Sequence, residues 1–175
     1  MPAHTQTMQT RLQFKDILKD FLYLLKKPTF VIPMLLQGLT YVMLFSYSSA
    51  SPFITQKIYH MSAPQFSVML AINGVGLIVV SQIVALLVEK ISRQKLLIYL
   101  TIVQIVGVIL LIATLALHLP LYVLLIAFFI NISPVTSIAP LGFSMAMEER
   151  TGGSGNASSL LGLFQFILGG IISPL

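Results

Sequence analysis

Four stretches of this chain, residues 28–56, 58–88, 96–147 and 151–175, contain no Asp, Glu, Lys or Arg over 29, 31, 52 and 25 positions. A helix rises about 1.5 Å per residue and the hydrocarbon core of a bilayer is about 30 Å thick, so roughly 20 apolar residues cross it. Hydrophobic residues make up 57% of the chain and charged ones 9%, against about 25% charged in a soluble domain, more apolar surface than a water-soluble core can absorb. In lipid each unpaired backbone group costs several kcal/mol, which leaves helices and closed barrels as the spanning structures. Barrel strands alternate apolar with polar over about ten residues, whereas these runs are continuous and rich in Leu, Ile and Val. The expected class is an all-α membrane protein.

The longest run exceeds one crossing, and His118, Leu119 and Pro120 interrupt it with a helix breaker beside a polar ring. The expected spans are 29–51, 64–88, 96–117, 121–145 and 157–175, within a domain over 28–175 that follows a segment at 1–27. Alternating crossings put Arg11, Lys15, Lys19, Lys26, Lys27, Lys90, Arg93, Lys95 and Arg150 on one side and only Lys57 on the other. Loops rich in Lys and Arg stay cytoplasmic, so the N-terminus is expected inside and the end of the last helix outside. The same rule accounts for the net charge of +5 without a nucleic-acid partner. A first run that begins only at Pro28, and is too long for a signal-peptide core, gives the expectation of no cleaved leader. With no cysteine there is no disulfide framework, thiol nucleophile or thiolate metal site.

Residues 1–10 are polar and are expected to be disordered. Beyond them Leu12, Phe14, Ile17, Leu18, Phe21, Leu22 and Leu25 recur at helical spacing, with Arg11, Lys15, Asp16, Lys19 and Asp20 between them. This predicts an amphipathic helix at the cytoplasmic membrane surface, acting either as a plain lipid anchor or as a brace between transporter halves.

Polar side chains inside the spans are the candidates for function, since lipid tolerates them only where they meet a partner or a water-filled cavity. On the first span Gln37, Tyr41, Ser48 and Ser51 share a face, and Pro52 is expected to end the helix. That face either lines a cavity or packs, its serines bonding their own backbone. On the second span Ser67, Ala71, Gly74, Ser81 and Ala85 form a small-residue stripe suited to close packing, with Asn73 and Gln82 as the polar exceptions and Gly76 beside them. The fourth carries Asn131, Ser133, Pro134, Thr136, Ser137 and Pro140; its two prolines predict a bend, either gating or passive. On the last, Gly162, Phe166, Gly169 and Ser173 share a packing face, and Gln165 at its edge could meet a substrate or a neighbouring helix.

No acidic residue lies inside a span, and His4, His60 and His118 are scattered through tail and loops. No catalytic acid/base pair, metal site or cofactor is therefore expected, and an intramembrane enzyme is disfavoured.

The stretch SYSSASPFITQKIYHMSAPQFSVMLAINGVGLIVVSQ at 46–82, and GGSGNASSLLGLFQFILGG at 152–170, resemble the Bcr/CflA-type drug resistance transporters of the major facilitator superfamily. The resemblance implies the seventh to eleventh helices of a twelve-helix carrier, with the first six and the twelfth absent. It implies proton-coupled efflux of small amphipathic compounds by alternating access in a bacterial inner membrane, with the proton site largely in a complementary N-terminal half. Glu89, Lys90, Arg93 and Lys95 stand where the family carries a charged loop, though its full glycine and aspartate pattern is not present; their plainer role is to fix topology. The competing expectation is a non-transporting membrane scaffold or subunit, its small-residue faces serving helix association.

Overall fold

The computed structural model describes residues 3–148 and 154–172, and among these every regular element is helical. In order they are α1 (Ala3–Leu25), α2 (Pro28–Pro52) with a π-helical extension Phe53–Ile58, α3 (Ala63–Leu87), α4 (Arg93–Ala116), α5 (Leu121–Ile132), α6 (Val135–Glu148) and α7 (Ser154–Ile172). Four continuous stretches, Pro28–Ile58, Ala63–Leu87, Arg93–Ala116 and Leu121–Glu148, are long and apolar enough to cross a membrane, and α7 is a shorter apolar helix. The chain is a multi-pass membrane protein. Its outer surface confirms the solvent: Ile98, Ile102, Ile105, Ile109 and Ile112 form a stripe along α4 that is 51–61% exposed, a face that water would not tolerate.

Local chemistry explains where the helices start and stop. Pro28 opens α2, where its missing N–H removes no bond, and Ser62 caps α3 in a reciprocal box with Gln65, at 3.3 Å and 3.0 Å. His118 sits in left-handed backbone at φ 50°, and the Leu119 N–H returns 3.0 Å to the Thr114 carbonyl, a closed C-cap that turns the chain into α5. His60 holds the same conformation at φ 56° after the π-helical turn, and the Tyr59 hydroxyl donates 3.0 Å to the Leu119 carbonyl, tying these two turns together.

Three expectations about the elements need correction. The stretch 1–10 is not without structure from Ala3 onward, because α1 extends through it. Pro52 ends the α-helix but not the helical run: the chain keeps αR geometry at Phe53 and widens into a π-helical turn, with the Tyr59 N–H reaching Ile54 O at 3.2 Å. Pro134 does more than bend the fourth span, since regular helix stops at Ser133 and Pro134 and restarts at Val135; Pro140 lies inside α6 without interrupting it. Arg150, Gly152, Gly153 and Ser173 lie outside the described residues.

The α5–α6 span is the centre of the bundle. Of its most apolar stretch 56% is buried, against 17% for α3, and it packs on α2, α3, α4 and α7. Three apolar clusters result: Leu24, Phe30, Met34, Ala146, Ala157 and Leu161; Val84, Leu96, Leu97, Leu100, Ile138 and Leu141; and Met61, Met69, Leu124 and Phe128. The first two occupy the end that carries α1 and the α3–α4 turn, and the third fills the opposite end. Gly107 sets the α4–α5 distance, because a Cβ there would stand 2.7 Å from the Asn131 backbone nitrogen.

Candidate functional site

Between the apolar clusters runs a belt of buried polar side chains. Thr40, Asn73, Gln104 and Asn131 are 2–5% exposed. Each stands within about one turn of the middle of its span, the depth at which carriers place their substrate sites. Thr40 Oγ1 donates to the Leu36 carbonyl at 2.8 Å and lies 3.5 Å from Gln104 Oε1, linking α2 to α4. Asn73 Nδ2 donates to the Tyr47 hydroxyl at 2.7 Å, linking α3 to α2, and the Tyr47 ring meets Phe128 edge-on at 5.2 Å. Thr136 Oγ1 donates 3.2 Å to the Leu77 carbonyl, joining α6 to α3. Gln104 Nε2 and Ser137 Oγ are buried without a partner among the described residues.

The structure separates the expected cavity face of α2 into two. Gln37 and Ser51 turn inward with Thr40 and Tyr47, and Gln37 lies beside the close approach of Gly142 to Pro33. Tyr41 is half-buried and Ser48 is exposed, its hydroxyl donating 2.9 Å to the Leu44 carbonyl one turn back. With Phe45 these two make an accessible row, and Phe45 lies where a Cβ on Gly169 of α7 would stand, 2.7 Å from its ring. Gly38 meets Phe164 and Leu168 lower on the same seam, so α2 and α7 run side by side and Tyr41 and Gln165 come to about the same depth. Gln165 is half-buried, whereas Asn73 and Asn131 are wholly interior.

The expected packing faces are not the ones turned inward. On α7 the inward row is Ala157, Leu161, Phe164 and Leu168; Phe166 is 74% exposed, a Cβ at Gly162 would meet nothing within 4 Å, and among the described residues of the expected face only Gly169 is packed. On α3 the inward row is Met69, Asn73, Gly76 and Val84, while Ser67, Ala71 and Ala85 are exposed and Gly74 faces open space. Gln82 is exposed.

At the basic end Arg93 forms an ion pair with Glu148 at the close of α6, whereas Glu89, Lys90 and Lys95 remain exposed. The pair is half-exposed on both sides, so it contributes at most about 1 kcal/mol. It floors a groove of about 610 Å³, walled by Pro28, Ile32, Leu36, Leu97, Ile98 and Met145. That groove lies between α2, α4 and α6, away from Tyr41 and Gln165.

Sequence reasoning missed Tyr47, Thr40, Gln104 and Glu148. Gln104 was open to the argument applied to the other spans, being the lone amide in the apolar run 96–117. Glu148 needed knowledge that the α3–α4 turn and the end of α6 meet.

Comparison with known proteins follows the same lines. The sequence profile described as Major Facilitator Superfamily matches residues 2–174. A Bacillus subtilis (strain 168) protein described as an uncharacterized MFS-type transporter, YdgK, is 34% identical over 152 residues, covering 87% of this chain and 38% of the relative. The chain thus spans about 38% of the length of that curated relative. No solved structure matches. Polar groups buried at mid-depth, a broken central span and this sequence kinship agree: the chain belongs to the major facilitator superfamily.

Proposed function

We propose that this chain supplies one wall of a proton-coupled efflux carrier of the Bcr/CflA type, acting on small amphipathic compounds by alternating access. The observation that carries the reading is the α2–α7 seam, where Tyr41, Phe45, Ser48 and Gln165 give an accessible row of aromatic surface with spaced hydrogen-bonding groups. Such a surface holds amphipathic molecules by shape and a few hydrogen bonds. The belt of Thr40, Asn73, Gln104 and Asn131 behind it stiffens the wall rather than touching cargo. The interruption at Ser133 and Pro134 gives the central span a place to bend. The four long spans carry no carboxylate except Glu148, which closes the last of them at the basic end and is held by Arg93, so in this reading the coupling proton is carried by a complementary N-terminal half, which also closes the pathway. In this reading the N-terminus is cytoplasmic, which the gathering of basic residues on one side supports, and the bundle lies in a bacterial inner membrane.

The test is proton-gradient-driven uptake of a fluorescent amphipathic dye into vesicles holding this chain together with a complementary half. Tyr41→Ala and Gln165→Ala each remove a hydrogen bond worth about 0.5–1.5 kcal/mol, so each is expected to lower uptake roughly two- to tenfold. Ile109→Ala on the lipid-facing stripe of α4 leaves uptake unchanged. Uptake no greater than that of empty vesicles, or insensitivity to both seam substitutions, refutes the proposal.

A further inference from the structure

Helix α1 is attached to the bundle along one edge. Leu24 is 4% exposed, packing in the cluster with Phe30, Ala146, Ala157 and Leu161, and Asp20 on the same i, i+4 row is half-buried and engaged. The rows facing away are different in kind. Phe14, Leu18 and Leu22 are 68, 50 and 52% exposed, and beside them Lys15 and Lys19 are exposed one turn apart, with Lys26 exposed in the turn that follows. Lys15 and Lys19 balance Asp16 and Asp20 in number, so a charge count hides what the geometry separates: the cationic flank points outward, and the acidic row is the one that leads to the bundle contact. Only Lys26 and Lys27 join α1 to Pro28, the first residue of a membrane span, which holds the C-terminal end of the helix at headgroup level.

We propose that α1 is a recognition element for anionic phospholipid. Phe14, Leu18 and Leu22 enter the boundary between headgroups and acyl chains, and Lys15, Lys19 and Lys26 receive phosphate oxygens from the leaflet on the basic side of the bundle. The proposal does not rest on the transport reading. A neutral surface would satisfy the apolar row alone; the adjoining lysine flank, for which no acidic partner is present among the described residues, is what calls for negative headgroups.

Because the chain has no cysteine, Leu18→Cys gives a single site for a nitroxide label in the full chain. Its collision rates with oxygen and with a water-soluble nickel complex are compared by electron paramagnetic resonance in nanodiscs of phosphatidylcholine, with and without phosphatidylglycerol. The expected result is a label favouring oxygen in the anionic discs and shifting toward nickel in the neutral ones. Lys15→Gln with Lys19→Gln should lower the inserted-to-free ratio about thirtyfold in anionic discs, and Lys15→Arg with Lys19→Arg should restore it. Equal depth in the two lipids overturns the proposal. So does a label shielded from both reagents in either lipid, which would mean that the row packs against protein.

Discussion

Replacing Gly107 by alanine tests the α4–α5 contact on which the position of the polar belt depends. The added Cβ would stand 2.7 Å from the Asn131 backbone nitrogen and 2.9 Å from its Cα, whereas carbon contacts settle at about 3.5–4.0 Å. Main-chain atoms cannot rotate aside as a side-chain tip can, so the two helices must part by several tenths of an ångström along their seam. Overpacking of this kind costs about 1–3 kcal/mol. Alanine also gains about 1 kcal/mol of helix propensity over glycine, which offsets part of that cost. Gly74→Ala, with nothing within 4 Å of its Cβ, receives the same gain and no clash. The difference between the two variants therefore isolates the packing contribution and is expected to be about 1–3 kcal/mol. Equilibrium unfolding of the chain in mixed micelles of dodecyl maltoside and sodium dodecyl sulfate, followed by circular dichroism, measures it. If Gly107→Ala proves as stable as Gly74→Ala, α4 and α5 are not in backbone contact at Asn131.

The same assay reads two further sites. A double-mutant cycle between Tyr47→Phe and Asn73→Ala should give a coupling of about 0.6–1.7 kcal/mol, as for other hydrogen bonds between membrane helices, and zero coupling would remove that bond from the account. Gln104→Leu should leave stability unchanged or raise it by about 1 kcal/mol, because it deletes a buried amide nitrogen that has no partner among the described residues; a marked loss would mean that the amide is satisfied.

The spans were legible because length and the absence of charge are one-dimensional properties that lipid selects directly. The end of α4 was legible too, since His118 and Pro120 act on their own backbone. Which face of each helix turns inward was far less so. A soluble helix declares its inner face by contrast with a polar outer one, but Leu163 and Phe166 of α7 are exposed and as apolar as buried Leu161. The eye then falls on small residues such as Gly162 and Gly74, although glycine marks a contact only where a neighbour exists, as at Gly107 and Gly76. Of the seven expected cavity residues, only Tyr41, Ser48 and Gln165 are accessible, and the interior partners Tyr47 and Gln104 emerged only from tertiary packing. The Arg93–Glu148 pair joins residues more than fifty positions apart, beyond the reach of any local pattern.

The gap at Ser133 and Pro134 divides more than one helix. Above it α5 is anchored with Met61 and Met69, and below it α6 is anchored with Leu97, Leu100 and Leu161's neighbours, so no apolar cluster straddles the interruption. Tilting one portion against the other would leave each greasy interior intact and would act on what lies at the waist itself: the buried Ile132 and Val135, and the tight approaches of Gly107 to Asn131 and of Gly76 to Ser133.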